Sequence, residues 1–171
     1  MKKTYFSTIF AFLLFASLSL QSQEEAMNYK ELQGYLPASI SGYEAGEPGG
    51  QTTNMQGMSF SSADIKFTNS SGGYIQITLL DYKAAINMYQ AATAMWNAGM
   101  SFENDDQIAR SVQWEDDIAG WEEFRKKDKE GKIALGIGNR FFLSIEANQQ
   151  EDLDFVKSIA KKMDLKSLAS K

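Results

Sequence analysis

Apolar and polar residues alternate most regularly between Trp121 and Ala147, and this stretch predicts three consecutive strands. The first ends in a turn at Asp128-Lys129-Glu130-Gly131; the second runs Lys132–Ile137 and the third Arg140–Ala147, with a two-residue turn at Gly138-Asn139 between them. Glycine followed by asparagine between alternating runs signals a hairpin, because both residues tolerate the positive φ that such a turn needs. Ile133, Leu135, Ile137, Phe141, Leu143 and Ile145 then share one face, which requires a cover.

Ser59–Phe67 and Tyr74–Leu80 alternate in the same way and are joined by the turn residues Asn69-Ser70-Ser71-Gly72-Gly73. Gln107–Trp114 reads as a further strand, leading through Glu115-Asp116-Asp117 into the meander. Three stretches carry helical spacing instead. Asn28–Leu36 places Leu32, Tyr35 and Leu36 on one side before Pro37 stops it. Asp81 stands where an N-cap belongs and opens a run to Gly99, with Ala85, Tyr89, Ala92 and Trp96 forming a stripe that Met88 and Met95 widen. Asn148, with Glu151 in the capping-box place, opens a last helix striped by Leu153, Val156, Ile159, Ala160 and Met163 and extended by Leu165 and Leu168. Gly42–Gly57, rich in Gly, Gln and Thr, predicts a mobile loop, and Phe102–Asp106 a polar connector.

Strands, helix, strands and a closing helix predict an α+β domain: an antiparallel β-sheet of about five to six strands with helices packed on one face, in two or three layers. The Leu36-Pro37 and Ile40-Ser41-Gly42-Tyr43 opening, the Ile75-to-Asp81 strand, the Gly120-Trp121 pair, the Gly138-Asn139-Arg140-Phe141 hairpin and the closing Met163-Asp164-Leu165 resemble small exported bacterial proteins of unknown function. The order of elements is similar to the Mog1/PsbP-type α/β sandwich. That resemblance implies a fold and brings no catalytic residue with it.

Lys2 and Lys3 precede an apolar run, Phe6 to Leu20, that dissolves into serine and glutamine, the pattern of a signal peptide over residues 1–23. The run is too short and too serine-interrupted for a spanning helix, which needs about 20 mainly apolar residues. No cysteine is present for lipid attachment or disulfides. Residues 24–171 are therefore expected as one soluble domain, periplasmic or secreted after cleavage, without stable membrane insertion. The chain carries 17 basic and 22 acidic residues, net −5, and losing Lys2 and Lys3 makes it more acidic. Such a balance argues against nucleic acid. Arg125-Lys126-Lys127, hemmed in by acids, reads as a solvated strand end.

The absence of histidine as well as cysteine excludes Ser-His-Asp and Cys-His nucleophiles, the usual zinc sites and dithiol redox centres. No cofactor and no metal is expected. Carboxylates remain in turn-like runs, Glu103-Asn104-Asp105-Asp106, Glu115-Asp116-Asp117 and Glu122-Glu123, which read as solvated surface. A carboxylate-dependent hydrolase is the enzyme these would build, and Asn104-Asp105-Asp106 lacks the alternation of an EF-hand calcium loop. The chain is thus read as no enzyme but as an exported binding or interaction module for an unknown protein or small molecule, a structural envelope protein being the alternative. Its site is expected on the second face of the sheet, where Tyr74, Arg140 and Phe142, with Trp121 at the border, surround a trough left by Ala134 and Gly136. The competing expectation is that Gly42–Gly57 or the N-terminal helix covers Phe142 and Tyr74.

Overall fold

The computed structural model describes residues 25–171 apart from 56, 57, 84 and 95, so the expected signal peptide lies outside the described residues. Among the described residues nine strands form one antiparallel sheet: β1 (Glu44–Ala45), β2 (Gly49–Met55), β3 (Met58–Thr68), β4 (Tyr74–Asp81), β5 (Ser101–Glu103), β6 (Gln107–Glu115), β7 (Ile118–Arg125), β8 (Glu130–Ile137) and β9 (Phe141–Ala147). β1 and β2 both pair with β3, and from there the order runs β4, β9, β8, β7, β6, β5. Four α-helices among the described residues accompany the sheet: α1 (Tyr29–Gln33), α2 (Ile86–Thr93), α3 (Asp154–Lys162) and α4 (Leu165–Ala169). The α+β class is as expected, and the strand count exceeds the five to six predicted.

Alternation decides where the core sits. Ile65, Ile77, Ile145 and Ile133 line up across four neighbouring strands, and Leu79, Leu143 and Leu135 form the next row. Each is at most 4% exposed, sealed by Leu32 and Leu36 from the α1 end and by Val156, Ile159, Ala160, Leu165 and Leu168 from α3 and α4. The α3 stripe recurs at three- and four-residue spacing, and Lys161 and Lys162 fall in its last turn, where the helix dipole favours cations.

Helices do not keep to one face. A side chain grown from Gly131 would meet Leu153 and Val156 of the α3 segment, whereas one grown from Gly136, which points the opposite way, would meet Tyr89 of α2 and Trp96. α1, α3 and α4 cover the core face, and α2 crosses the second.

Several local expectations are corrected. Gly42–Gly57 is not a mobile loop, since β1 and β2 occupy most of it; β2 is stitched to β3 from Gly49↔Asp64 to Met55↔Met58. Its residues are polar because it is an edge strand with little to bury, and burial is what alternation reports. β5 replaces the connector for the same reason. The helix expected from Asp81 to Gly99 is shorter, α2 giving way at Ala94 to a 3₁₀ turn, Trp96–Ala98, which Gly99 ends with φ +61°. Asp81 does not cap it, because its carboxylate is buried elsewhere. Asn148 does not cap α3 either: its side-chain oxygen accepts from Tyr74 N–H at 2.6 Å, fastening β4 to the end of β9, while Asp152 Oδ1 accepts from Asp154 N–H.

The β8–β9 turn is likewise one residue longer than expected. Gly138 and Asn139 both have positive φ and Arg140 N–H closes on the Ile137 carbonyl, but the ladder resumes only at Ile137↔Phe141. A two-residue loop would set Arg140 opposite Ile137 on the core face. The extra residue removes the arginine from that position and keeps Phe141, Leu143 and Ile145 in it.

Leu135 and Leu143 are wholly buried partners in one row. Truncating either to alanine is expected to cost about 2–5 kcal/mol in urea unfolding, whereas Lys132→Ala on the opposite face should change stability by less than about 0.5 kcal/mol. Equal effects would mean that the two faces are exchanged.

Candidate functional site

The second face is built from the residues alternate to the core. Trp121, Ala134, Ser144 and Thr78 form one row across β7, β8, β9 and β4, and Ala119, Gly136, Phe142 and Leu80 form the next. Gly136 leaves the space into which Tyr89 and Trp96 fit, and Trp96 packs on Phe142 with ring centroids 5.4 Å apart. The trough foreseen over Gly136 is therefore filled, by α2 and the 3₁₀ turn rather than by the N-terminal helix or residues 42–57. The Ala134 row lies beside this cover.

The four expected site residues do not meet around one depression. Tyr74 lies six residues along β4 from Leu80, the partner of Phe142, which is roughly 20 Å at about 3.3 Å per residue. Its hydroxyl is 2.9 Å from Glu146 Oε1 and 3.0 Å from Glu130 Oε2, one hydrogen serving two acceptors, and the Lys66 ammonium stands 5.3 Å from its ring centre. Burial, then the hydrogen bond and charge of Glu146, hold the Tyr74 phenol above its ordinary pKa. Trp121 packs on Phe102 of β5 at 6.2 Å, toward the other edge of the sheet.

Arg140 belongs to a different structure altogether. Its Nε and Nη2 donate to Asp81 Oδ1 and Oδ2 at 2.8 and 2.6 Å, its Nη1 donates to the Lys171 carbonyl, and its guanidinium stacks on Phe141 at 4.5 Å. Asp81 is fully buried and also accepts from the backbone N–H groups of Met27 and Lys83. A carboxylate with four donors around it is satisfied in place. The planar fork that made Arg140 a candidate ligand is already used inside the protein.

Charged clusters resolve the same way. Arg125 pairs with Glu130 and Asp128, Lys126 with Glu103, and Lys127 with Asp106. Glu122 is not the solvated turn residue expected: it lies in β7 on the core face, 1% exposed, with Arg110 Nε and Nη2 both 2.5 Å from Oε1. Lys157 Nζ of α3 lies 3.2 Å from Oε2 outside hydrogen-bond geometry, so that oxygen is balanced by charge alone. An open cleft of about 610 Å³ separates the β6–β7 turn from α4, lined by Glu115, Asp116, Asp117 and Lys166. No group of three or more Asp or Glu close enough to hold a metal ion occurs among the described residues.

The periodicity does not mark as exposed a set of apolar side chains, and it places one of them, Met88, in the covered stripe of the helix after Asp81. Met55, Met58, Ile86, Met88, Met100 and Phe102 are 42–59% exposed. Met58 precedes the buried Ser59, so it alternates to the second face, and Met55 is its direct partner. Phe102 is opposite Ala109 and packs on Trp121, Met100 shares its parity, and Ile86 and Met88 ride on α2. All six are on the α2 side of the sheet. A sequence signal for them existed: no charged residue occurs from 48 to 63, nor from 84 to 102, in a chain that is 23% charged.

No protein-family model, curated protein or solved structure matches this chain.

Because Asp81 is fully buried and Arg140 supplies its only charged partner among the described residues, Arg140→Ala strands a carboxylate in the interior. The expected loss is about 3–5 kcal/mol by urea unfolding. Asp81→Asn in that background should restore part of it; a neutral Arg140→Ala variant would return the arginine to the list of free surface groups.

Proposed function

We propose that this protein is an exported, non-catalytic binding module whose partner-facing surface is the α2 side of the sheet. The observation that carries this reading is that Met55, Met58, Ile86, Met88, Met100 and Phe102 are all exposed on that one side, from the β2 edge across α2 to the β5 edge, within two uncharged stretches of the chain. Soluble surfaces intersperse charge with apolar groups, and an uncharged apolar patch marks a place where another surface sits. Interface centres are depleted in charge and enriched in methionine and aromatic residues. Methionine suits such a role because its unbranched, polarizable side chain repacks against irregular partners. α2 itself bears no acidic residue in its first turn and no basic residue in its last, and the first exposed residues of its outer surface are Ile86, Asn87 and Met88. A spread, shallow surface of this kind favours a protein partner over a small molecule.

Export is supported by Lys2 and Lys3 ahead of the apolar run Phe6 to Leu20. A non-catalytic role is supported by the lack of histidine and cysteine, and by the pairing of Glu103, Asp106 and Glu122 with neighbouring cations.

A photo-crosslinking residue placed at Met88 or at Met58 should capture a discrete partner in the native envelope, while the same probe at Lys161 on α3 should not. Met58→Lys should reduce the adduct formed at position 88 by more than about tenfold (on the order of 1.4 kcal/mol) without altering the far-UV spectrum. Equal capture at Lys161, or none anywhere, contradicts this reading and favours a structural protein without a ligand.

A further inference from the structure

β2 is the long exposed edge of the sheet. It runs seven residues, pairs with β3 on one side, and among the described residues has no strand on the other. Among the described residues no hydrogen bond other than those of the β3 ladder reaches the main-chain groups of residues 50–55; the Gly49 carbonyl just before them is held by Gln33 Nε2. In an antiparallel ladder alternate residues aim their N–H and C=O away from the partner, so β2 presents a row of free donors and acceptors.

Edges of this kind are normally blunted by lysine, proline, a bulge or brevity. The other edge strands follow that rule: β1 has two residues and β5 has three, ending in Glu103. β2 uses none of these devices within its span. Its register against β3 is continuous from Gly49 to Met55, and Gly50, Gln51, Asn54 and Met55 are exposed. α1 braces it from the core side, where Tyr29 N–H donates to Thr52 Oγ1 at 3.0 Å and Thr52 Oγ1 lies 2.8 Å from Ser61 Oγ.

We propose that two copies of this chain pair antiparallel through β2, joining their sheets across a two-fold axis. Charge selects the second copy as the occupant. Antiparallel pairing about a two-fold sets the strand against itself, so any charge near the axis would face a like charge; the chain is net −5, yet residues 48–63 carry no charge at all. A strand built for a charged foreign peptide would carry the opposite sign. With the two-fold at the middle of β2, Thr52 stands opposite Thr52 of the second copy, a cross-strand pairing of like threonines that brings no like charges together. The inference shares Met55 and the uncharged stretch 48–63 with the surface assigned to α2, but it rests on the main-chain edge of β2 rather than on exposed side chains, and its test reads mass and amide exchange rather than capture of a partner.

Sedimentation equilibrium of the purified protein between about 1 and 100 μM (affinities of about 5.5–8 kcal/mol) should give twice the mass of one chain. The Gln51→Lys/Asn54→Lys variant should sediment as a single chain with an unchanged far-UV spectrum, and amides 50–55 should exchange at least about tenfold faster in it than in the parent protein (on the order of 1.4 kcal/mol). If the double variant loses its fold, Gln51→Lys alone, read by the same exchange, decides the matter. A single-chain mass for the parent across the range, a dimer that persists in the folded variant, or parent amides 50–55 exchanging as fast as the variant's each overturn the proposal. A parent dimer in which Met88 capture is unaffected by the lysines would leave the two surfaces separate, as expected.

Discussion

The pairing of β9 with β4 is the contact on which the rest of the molecule depends. It joins an N-terminal group of strands to a C-terminal meander across sixty or more residues of chain, from Ile75↔Ala147 to Asp81↔Phe141. Without it each half is an open sheet with half a core. Both ends of the ladder are fastened by side chains: Asn148 accepts from Tyr74 N–H at one, and Arg140 grips Asp81 at the other. A slip of one residue would break both fastenings and turn Leu143 and Ile145 outward, so register here is specified several times over.

The Asp81–Arg140 pair also gathers the chain's distant parts. Asp81 receives the N–H of Met27, and Arg140 reaches the carbonyl of Lys171, so the first and last described segments meet at the corner where β4 and β9 end. A buried ion pair is seldom a net source of stability, because desolvation offsets the attraction. What it supplies is a geometry that few alternatives satisfy. From that corner α2 leaves across the second face, anchored by Tyr89 and Trp96 over Gly136 and leaving Ile86 and Met88 in the open.

How much of this was legible in the sequence follows from burial. β3, β4 and β9 bury one side, and with β8 their apolar periodicity places them within about two residues of their observed bounds; the stripe of α3 places that helix too, although its N-cap falls at Leu153 rather than at Asn148. β1, β2 and β5 bury almost nothing, so no periodic signal marks them, and glycine and threonine in β2 read as loop. Glu122 was misplaced because a paired acid inside the fold looks, in one dimension, like an acid in a turn; only the cross-strand Arg110 and Lys157 from α3 reveal the difference. Arg140 was misplaced by a single residue of loop length. The exposed methionines escaped because periodicity searches for what is hidden, whereas the missing charge around them was in plain view.

Native-state amide hydrogen exchange would test the central place of β9 most directly. The account predicts that the amides of Leu143 and Ile145 exchange only through global unfolding, together with those of Ile77 and Ile133 beside them, while α2 and β5 open locally at lower free energy. Exchange of the β9 amides in step with α2 or β5, ahead of β4 and β8, would contradict it.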